Sequence, residues 1–336
     1  MRRARQDALL VTGGAGFIGS HLSERLLGAG YRIVCLDSFN TFYDPHLKED
    51  NAATVSETAT RLGDASAYTV VKGDIRDRAL LDALFSAHRF RAVIHLAACA
   101  GVRPSIVDPE TYCDVNVIGT LRILEAMRGH AVRALVFASS SSIYGNNGKV
   151  PFHEDDPVDH PVSPYAATKK SGELLCHTYH HLYGMSIACL RFFTVYGPRQ
   201  RPDLAIRKFA ELMRAGAPVP VFGDGTSERD YTYVDDLVEG VVKALAWCLE
   251  GKGGYEVFNL GESRTVSVNG MIAGLERHLG IKAEILRLPE QPGDVVRTYA
   301  DIGKARALLG YDPKTDFDEG LGRFIRWLEQ EALKPR

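Results

Sequence analysis

The sequence predicts an α/β fold, a Rossmann-type doubly wound parallel sheet with a smaller C-terminal substrate-binding lobe. Three observations predict it. Short, continuously apolar runs alternate with helical patterns through the first two hundred residues, and a glycine-rich turn follows the first run. After Gly197 this alternation gives way to short motifs and polar loops. Strands that are apolar on both faces are typical of parallel sheets covered by helices on both sides.

Six apolar runs are the predicted strands of this sheet. In chain order they are ALLVTGG, YRIVCLD, AYTVVKGD, RAVIHLAA, RALVFASS and SIACLRFF. Two later runs, RDYTYVDD and GYEVFNLG, are predicted to return to the first lobe as strands. We therefore expect a Rossmann domain over residues 1–190 with returning segments near 229–262, and a second lobe formed mainly by 191–336.

The composition excludes several classes of protein. The chain has 336 residues with 40 Lys and Arg against 42 Asp and Glu, a balance that favours neither nucleic acid nor an anionic membrane as the main partner. The six cysteines form no C-x-x-C pair and lie mostly in apolar runs, which predicts buried free thiols in a reducing compartment. With no apolar stretch long enough to span a bilayer, we expect a soluble cytoplasmic protein.

The glycine turn predicts a dinucleotide site. The sequence TGGAGFIGSHL places Gly13, Gly16 and Gly19 between the first strand and a helix. There glycines allow a tight turn, the approach of a pyrophosphate to the backbone, and close packing of helix on sheet. Asp37 ends the next strand, where its carboxylate can accept from ribose hydroxyls and would repel a 2′-phosphate, so NAD is favoured over NADP.

Other predicted cofactor contacts lie beside this turn or at the carboxyl ends of the following strands. They are Phe17, Ile18, Asn40, Asp74, Ile75, Leu96, Ala97 and Ala98. The carboxyl ends of parallel strands meet at one edge of the sheet, and a dinucleotide binds across that edge.

SPYAATKK places a tyrosine four residues before a lysine. On a helix, Tyr165 and Lys169 would share one face, where the ammonium could favour the phenolate and make the tyrosine a base near neutral pH. An exposed amphipathic helix has the same spacing, so the pair alone does not establish catalysis.

Seven motifs in order carry a family resemblance: TGGAGFIG, GDIRD, HLAA, FASSSSIYG, SPYAATK, RFFTVYGPRQRPD and RDYTYVDD. Together they resemble extended short-chain dehydrogenase/reductases of the NAD-dependent nucleotide-sugar epimerase group, over nearly the whole chain. HPVSPYAATKK and LRFFTVYGPRQRPD are most similar to UDP-glucuronate 4-epimerases. These isomerases interconvert UDP-glucuronate and UDP-galacturonate through a transient 4-keto sugar. The resemblance also implies a homodimer built from helices near residues 108–128 and 165–183.

The resemblance implies a role for each matching residue. Tyr165 would be the base on the sugar 4-hydroxyl, Lys169 would hold the nicotinamide ribose and lower the phenol pKa, and Ser140 would hydrogen-bond the reacting oxygen. Three further residues would lie beside the cofactor: Asn116, Ser139 and Phe193.

Ser141 and Ser142 occupy two informative positions. Related 4,6-dehydratases carry Asp-Glu there and UDP-glucuronate decarboxylases carry Ser-Glu, so the absence of an acid favours reversible redox chemistry. Thr194 stands where UDP-galactose 4-epimerases usually have Asn. Together with Arg201, these hydroxyls predict a pocket for an anionic group at sugar C5. Arg103 is a second candidate cation.

The nucleotide end of the substrate is assigned by resemblance alone. Phe222 matches a uridine-pocket position, Arg229 matches a diphosphate-binding arginine, and Asp294 matches a nucleotide-contacting aspartate. His177, His180 and His181 have helical spacing, but no neighbouring Cys or carboxylate completes a metal site, so no metal is predicted.

Other functions stay open at this point. Neutral-sugar epimerisation of UDP-glucose and UDP-galactose uses the same hydride chemistry and differs only in the C5 pocket. UDP-glucuronate decarboxylation and a non-enzymatic NAD-sensing module fit the residues less well, the latter because it has little need for a catalytic serine, tyrosine and lysine together.

Overall fold

The computed structural model of the protein describes residues 8–250, 254–289 and 297–333. Its strands in chain order are β1 (Ala8–Thr12), β2 (Arg32–Asp37), β3 (Tyr68–Lys72), β4 (Phe90–His95), β5 (Ala134–Ser140), β6 (Ser186–Phe192), β7 (Thr194–Tyr196), β8 (Val219–Phe222), β9 (Glu228–Arg229), β10 (Tyr231–Tyr233), β11 (Tyr255–Leu260), β12 (Val266–Ser267) and β13 (Ile285–Leu288). Seven of them form one parallel sheet in the order β3-β2-β1-β4-β5-β6-β11.

The α-helices cover both faces of this sheet and build the second lobe. They are α1 (Phe17–Gly28), α2 (Pro45–Arg61), α3 (Arg78–Ala87), α4 (Val102–Val107), α5 (Pro109–Cys113), α6 (Thr120–Gly129), α7 (Pro164–Tyr183), α8 (Ala205–Arg214), α9 (Val234–Leu249), α10 (Val268–Leu279), α11 (Gly303–Leu309) and α12 (Phe317–Ala332). A π-helical segment, Asp114–Gly119, joins α5 to α6, and short 3₁₀ turns lie at Ala65–Ala67 and Ser141–Tyr144.

Two apolar cores sandwich the sheet. Leu9 and Val11 of β1 belong to the core shared with α1, α2 and α9, whereas Leu10 belongs to the core shared with α3, α6 and α7. Successive strand residues point to opposite faces, so a strand buried on both sides is apolar throughout. This arrangement confirms the predicted Rossmann-type α/β fold.

The helix that carries Tyr165 has strong local start and stop signals. The Ser163 hydroxyl accepts a hydrogen bond from the Ala166 amide at 3.2 Å, and Pro164 occupies the first helical position. Gly184 ends α7 in the left-handed conformation, with φ at 63°. The first turn of α7 is therefore firmly held where it meets the ends of the strands.

All six predicted strands of the first lobe form. GYEVFNLG also joins the sheet, because β11 pairs in parallel with β6. RDYTYVDD does not: β10 pairs with β7 in a separate two-stranded sheet. The Thr194 amide donates to the Asp230 carbonyl at 3.0 Å, so the chain beyond β6 leaves the main sheet and takes β10 as its partner. The division into two domains stays a prediction.

The cysteines differ in part from the expectation. Cys35, Cys176, Cys189 and Cys248 are buried free thiols, but Cys99 is half-buried and Cys113 is exposed. Both lie outside the strands, where the apolar pattern carries no information on burial. No helix in the described ranges combines the length and apolar character needed to cross a membrane.

Candidate active site

A cavity of about 560 Å³ opens at the carboxyl ends of the parallel strands. This is the edge at which open α/β sheets bind their ligands. The structure brings most of the predicted site residues to its wall. Those predicted to contact the cofactor are Gly13, Gly16, Phe17, Ile18, Asp37, Asn40, Asp74, Ile75, Leu96, Ala97, Ala98, Ser139, Tyr165, Lys169 and Phe193. Those predicted for the substrate are Ser140, Ser141, Ser142, Thr194 and Arg201.

The glycine turn leaves no room for side chains. Gly13 has φ at +69°, and a Cβ there would lie 2.8 Å from the Ala97 amide nitrogen. A Cβ on Gly19 would lie 2.3 Å from the Gly13 carbonyl oxygen. Helix α1 begins at Phe17 with no side-chain cap from the described residues, so amides of its first turn are available to an anion. These features fit the pyrophosphate of a dinucleotide.

Asp37 at the end of β2 is buried beside a lysine. The Lys48 ammonium lies 3.1 Å from Asp37 Oδ1 and 3.3 Å from Asn40 Oδ1, and Lys48 also lines the cavity. Sequence reasoning missed Lys48. The buried face of α2 includes Lys48, Asn51 and Val55. Two polar residues on such a face could have indicated a buried polar site.

Tyr165 lies in the first turn of α7, with its ring edge-to-face against Tyr112 at a centroid distance of 6.2 Å. Burial raises the pKa of the Tyr165 phenol above its ordinary value, while the hydrogen-bonded Ser140 hydroxyl and the charge of Arg201 lower it. Both opposing groups favour the phenolate. The site therefore holds the phenol away from water and next to groups that stabilise its charged form.

Lys169 lies one turn further along α7. Its ammonium donates to the Ala138 carbonyl at 2.8 Å and lies 5.3 Å from the Phe137 ring centroid. Burial lowers the pKa of Lys169 to about 8. Lys169 is not among the groups that lower the Tyr165 pKa here, because its ammonium is held against the end of β5.

The serine run at the end of β5 forms a tight hydroxyl cluster. The Ser140 hydroxyl accepts from the Ser142 amide and donates to the Ser142 hydroxyl, both at 3.2 Å. The Ser139 hydroxyl instead donates to Glu173 at 2.6 Å. Ser140 therefore caps the 3₁₀ turn, and its hydroxyl lines the same cavity as Tyr165.

Arg201 supplies a positive charge to the same cavity. Its guanidinium forms a bidentate salt bridge with Asp203, with Nε 2.9 Å from Oδ1 and Nη2 2.7 Å from Oδ2. The guanidinium carbon lies 5.3 Å from the Phe42 ring centroid. Burial disfavours the charge, but Asp203 raises the pKa of Arg201 above its usual range. Arg201 is thus a fixed cation at the cavity wall near Tyr165.

A buried ion pair behind the cavity connects the elements that carry these residues. Glu173 of α7 pairs with Arg191 of β6 through two hydrogen bonds of 3.0 Å. Glu173 also accepts from Ser139, and Arg191 donates to the Tyr144 hydroxyl at 2.8 Å. One ion pair thus joins α7, β5, β6 and the 3₁₀ turn, and no sequence pattern predicted it.

Asn116 lies outside the cavity lining. Its side chain accepts from the Cys99 amide at 2.8 Å and donates to the Thr168 hydroxyl at 3.0 Å, so it connects the loop after β4 to α7.

His95 at the end of β4 lies between the hydroxyls of Thr12 and Thr120, and burial lowers its pKa to about 3. His95 is therefore a neutral structural residue.

Two described residues predicted for the nucleotide, Phe222 and Arg229, do not line this cavity, and neither does Arg103, the second candidate cation. Arg103 stacks on Phe222 with the guanidinium carbon 4.7 Å from the ring centroid, and the Arg229 guanidinium donates to the Glu228 carbonyl at 2.9 Å. Asp294 lies outside the described residues. The roles suggested for these four residues stay predictions.

Two of the three histidines of α7 contact neighbouring residues, and His181 is exposed. His177 lies edge-to-face on Tyr255 at 5.1 Å, and His180 Nδ1 lies 2.8 Å from the Met185 carbonyl oxygen. Within the part of the chain that the structure describes, no cluster of three or more His, Cys, Asp or Glu side chains could hold a metal ion.

Fold and site together define a dinucleotide-dependent enzyme of the short-chain dehydrogenase/reductase type, with a serine, a tyrosine and a lysine at the carboxyl edge of the sheet. The model of the NAD dependent epimerase/dehydratase family matches residues 9–261. The chain belongs to this family.

The chain is also similar to individual members. It is 44% identical to a UDP-glucuronate 4-epimerase of Thermodesulfobacterium geofontis, over 96% of each chain. The crystal structure of a Bacillus cereus UDP-glucuronic acid 4-epimerase with UDP-glucuronic acid and NAD superposes with a TM-score of 0.87 at 38% identity, covering 96% of this chain and 99% of that one. A Thermotoga maritima UDP-glucose 4-epimerase with UDP-glucose superposes with a TM-score of 0.85 at 33% identity, covering 97% and 99%.

Proposed function

We propose that the protein is an NAD-dependent UDP-glucuronate 4-epimerase, an isomerase that interconverts UDP-glucuronate and UDP-galacturonate. One observation carries the choice of substrate: Arg201 lies in the cavity of Tyr165, whose wall also holds the hydroxyls of Ser141, Ser142 and Thr194. A cation among hydroxyl donors suits a sugar carboxylate. The similarity to enzymes of this activity over nearly the whole chain supports the same proposal.

The residues of the glycine turn and the strand ends would hold NAD. The pyrophosphate would bind at the start of α1, where Gly13 and Gly19 have no space for a side chain, and the adenosine ribose would bind at Asp37. Held by these residues, NAD would supply reversible hydride transfer at sugar C4, to either face of the 4-keto sugar.

Tyr165 would move the proton. Its phenolate takes the proton of the 4-hydroxyl as the hydride leaves, and the phenol returns it when C4 is reduced. Ser140, which lines the same cavity as Tyr165, would hold the same sugar oxygen. Lys169, buried at the end of β5, would bind the nicotinamide ribose.

The C5 pocket would have a second task. Oxidation of a uronate at C4 creates a β-keto acid, which loses CO₂ when the bond to the carboxylate aligns with the carbonyl π system. An epimerase must hold the carboxylate out of that alignment while the ring turns over. Arg201 and three hydroxyls would provide this clamp. Because Ser141 and Ser142 are not acids, proton-transfer groups for elimination are lacking on this turn.

The remaining nucleotide would bind toward the second lobe. Phe222 would contact the uracil, Arg229 the diphosphate and Asp294 the nucleotide. Arg103 is the second candidate cation, after Arg201, for the anionic group of the sugar.

We expect UDP-glucuronate to be converted to UDP-galacturonate with little pentose formed, and UDP-glucose and UDP-galactose to react far more slowly. Product configuration by NMR and release of CO₂ measure this. Arg201→Ala should lower selectivity for the uronate about ten- to a hundred-fold, because a hydrogen bond to a charged group contributes about 1.5–3 kcal/mol.

Arg25→Ala is the matched control, since Arg25 forms an exposed ion pair with Glu239 and does not line the cavity. Equal losses on charged and neutral sugars in Arg201→Ala would assign Arg201 to the diphosphate. A wild-type preference for UDP-glucose would favour the neutral-sugar epimerase instead, and stoichiometric CO₂ would favour a decarboxylase.

A homodimer is part of the proposal. Leu174 and Leu182 of α7 are more than half exposed, and Ile118 of the neighbouring π-helical segment is 39% exposed. These apolar side chains suit an interface between the helices near 108–128 and 165–183 of two subunits. Sedimentation should give a dimer that Leu174→Glu weakens and Leu308→Glu, an exposed residue of α11, does not. A monomeric wild-type protein at micromolar concentration would contradict this.

We also propose a cytoplasmic location, supported by the free cysteines.

A further inference from the structure

We infer that Lys48 and Asp37 together determine dinucleotide specificity. Lys48 binds the adenosine ribose of NAD, and the Asp37 carboxylate neutralises the Lys48 ammonium, so that this cation does not attract the 2′-phosphate of NADP. This inference rests on the NAD site proposed above. It concerns a residue of α2, outside the glycine turn and the strand ends that form the rest of that site.

The geometry places a buried cation at the ribose end of the cavity. The Lys48 and Asp37 side chains are 8% and 4% exposed, and the ammonium lies 3.1 Å from Asp37 Oδ1. The second contact, at 3.3 Å, is to Asn40 Oδ1. All three residues line the cavity. A buried ammonium requires such partners, and here both partners belong to the predicted cofactor site.

The remaining hydrogen-bonding capacity matches a ribose. Asp37 Oδ1 accepts from Lys48 and from the Phe39 amide at 2.9 Å, whereas no described residue donates to Oδ2. The Lys48 ammonium has three N–H groups and uses two of them. One acceptor and one donor are left side by side, as the two hydroxyls of a ribose require.

Helix α2 also fixes this end of the site relative to the glycine turn. The Asn51 side chain donates to the Ala15 carbonyl at 3.0 Å. Lys48 and Asn51 are three residues apart and share one helix face. The ammonium is therefore held at a set distance from the turn where the pyrophosphate would bind.

The charges of Asp37 and Lys48 predict that the site binds NADP more weakly than NAD. A 2′-phosphate carries about two negative charges near neutral pH. Asp37 repels it and also neutralises Lys48, the nearest cation. Removing the Asp37 carboxylate would leave the buried Lys48 ammonium without a counter-charge. It would also free space beside the ammonium, and both changes favour binding of a phosphate. If Lys48 were only a structural partner, loss of Asp37 would still remove the repulsion of the phosphate, but the gain toward NADP would be the same with and without Lys48.

The test compares wild-type protein with Lys48→Met, Asp37→Ser and the double variant. Each protein is equilibrated with mixtures of NAD and NADP, and the bound nucleotides are released by denaturation and separated chromatographically. We expect wild-type protein to be purified with NAD and to exchange little for NADP. Asp37→Ser should raise the ratio of bound NADP to NAD about ten- to a hundred-fold, and the double variant should lose that gain. Lys48→Met alone should weaken NAD retention about tenfold.

Lys314→Met is the control for loss of one positive charge, because Lys314 is 78% exposed in the second lobe. Should Asp37→Ser not be recovered folded, Asp37→Asn keeps the size of the side chain and tests the same point. Equal NADP-to-NAD ratios in Asp37→Ser and the double variant would overturn this inference and leave the proposed function standing. Failure of folded wild-type protein to bind either nucleotide would overturn both.

Discussion

Tyr165→Phe is expected to abolish epimerisation while UDP-glucuronate still binds. Turnover should fall at least about 10²–10⁴-fold, the usual cost of losing a general acid–base group. The change removes only the oxygen that would move the proton, and the ring can keep its contact with Tyr112. Turnover is measured by NMR of the sugar, and binding by calorimetry.

Tyr112→Phe is the matched control for Tyr165. Its hydroxyl donates to the Ala100 carbonyl at 2.9 Å, and its side chain does not line the cavity, so the loss of this phenol should cost stability but little turnover. Near-normal activity of a folded Tyr165→Phe protein would remove Tyr165 as the base. Loss of both binding and turnover would indicate a role in shaping the site.

Glu173→Ala is expected to destabilise the fold by about 3–5 kcal/mol, because it leaves the buried guanidinium of Arg191 without its counter-charge. Both side chains are at most 3% exposed. Burial disfavours the charge on Arg191, and Glu173 holds the pKa of Arg191 above its ordinary value. The midpoint of urea unfolding measures the loss.

Replacing both partners, Glu173→Met with Arg191→Met, should cost less than Glu173→Ala alone, because no buried charge is then unpaired. Glu239→Ala is a control on a surface ion pair with Arg25 and should change stability by at most about 1 kcal/mol. A double variant less stable than Glu173→Ala would show that the polar contacts to Ser139 and Tyr144 contribute more than the charge pairing does.

Much of the site's backbone could be predicted because its signals are local. The apolar runs predicted the six strands of the first lobe, since burial on both faces requires apolar residues at every position. Gly13 and Gly19 predicted the turn, because side chains there would collide with neighbouring backbone. Tyr165 and Lys169 reach the same cavity for a similar reason, as one helical turn separates them on α7.

Residues that meet across elements were harder to predict. RDYTYVDD has the composition of a strand, but its partner was decided by where the chain leaves β6. Arg103 and Phe222 come from separate elements, α4 and β8, and only the structure shows that the guanidinium lies over the ring. Neither sequence pattern contains information about which distant element becomes the neighbour.

The sequence by itself determined the sheet, the dinucleotide turn and the Tyr165–Lys169 pair, because backbone conformation, burial pattern and helical spacing are properties of short segments. Only the tertiary structure placed Lys48 against Asp37, Glu173 against Arg191 and Arg201 near Tyr165. These pairings bring together charges from separate elements. The cost of burying a charge is met only when packing brings its partner within hydrogen-bonding distance, and the distance along the chain does not determine that.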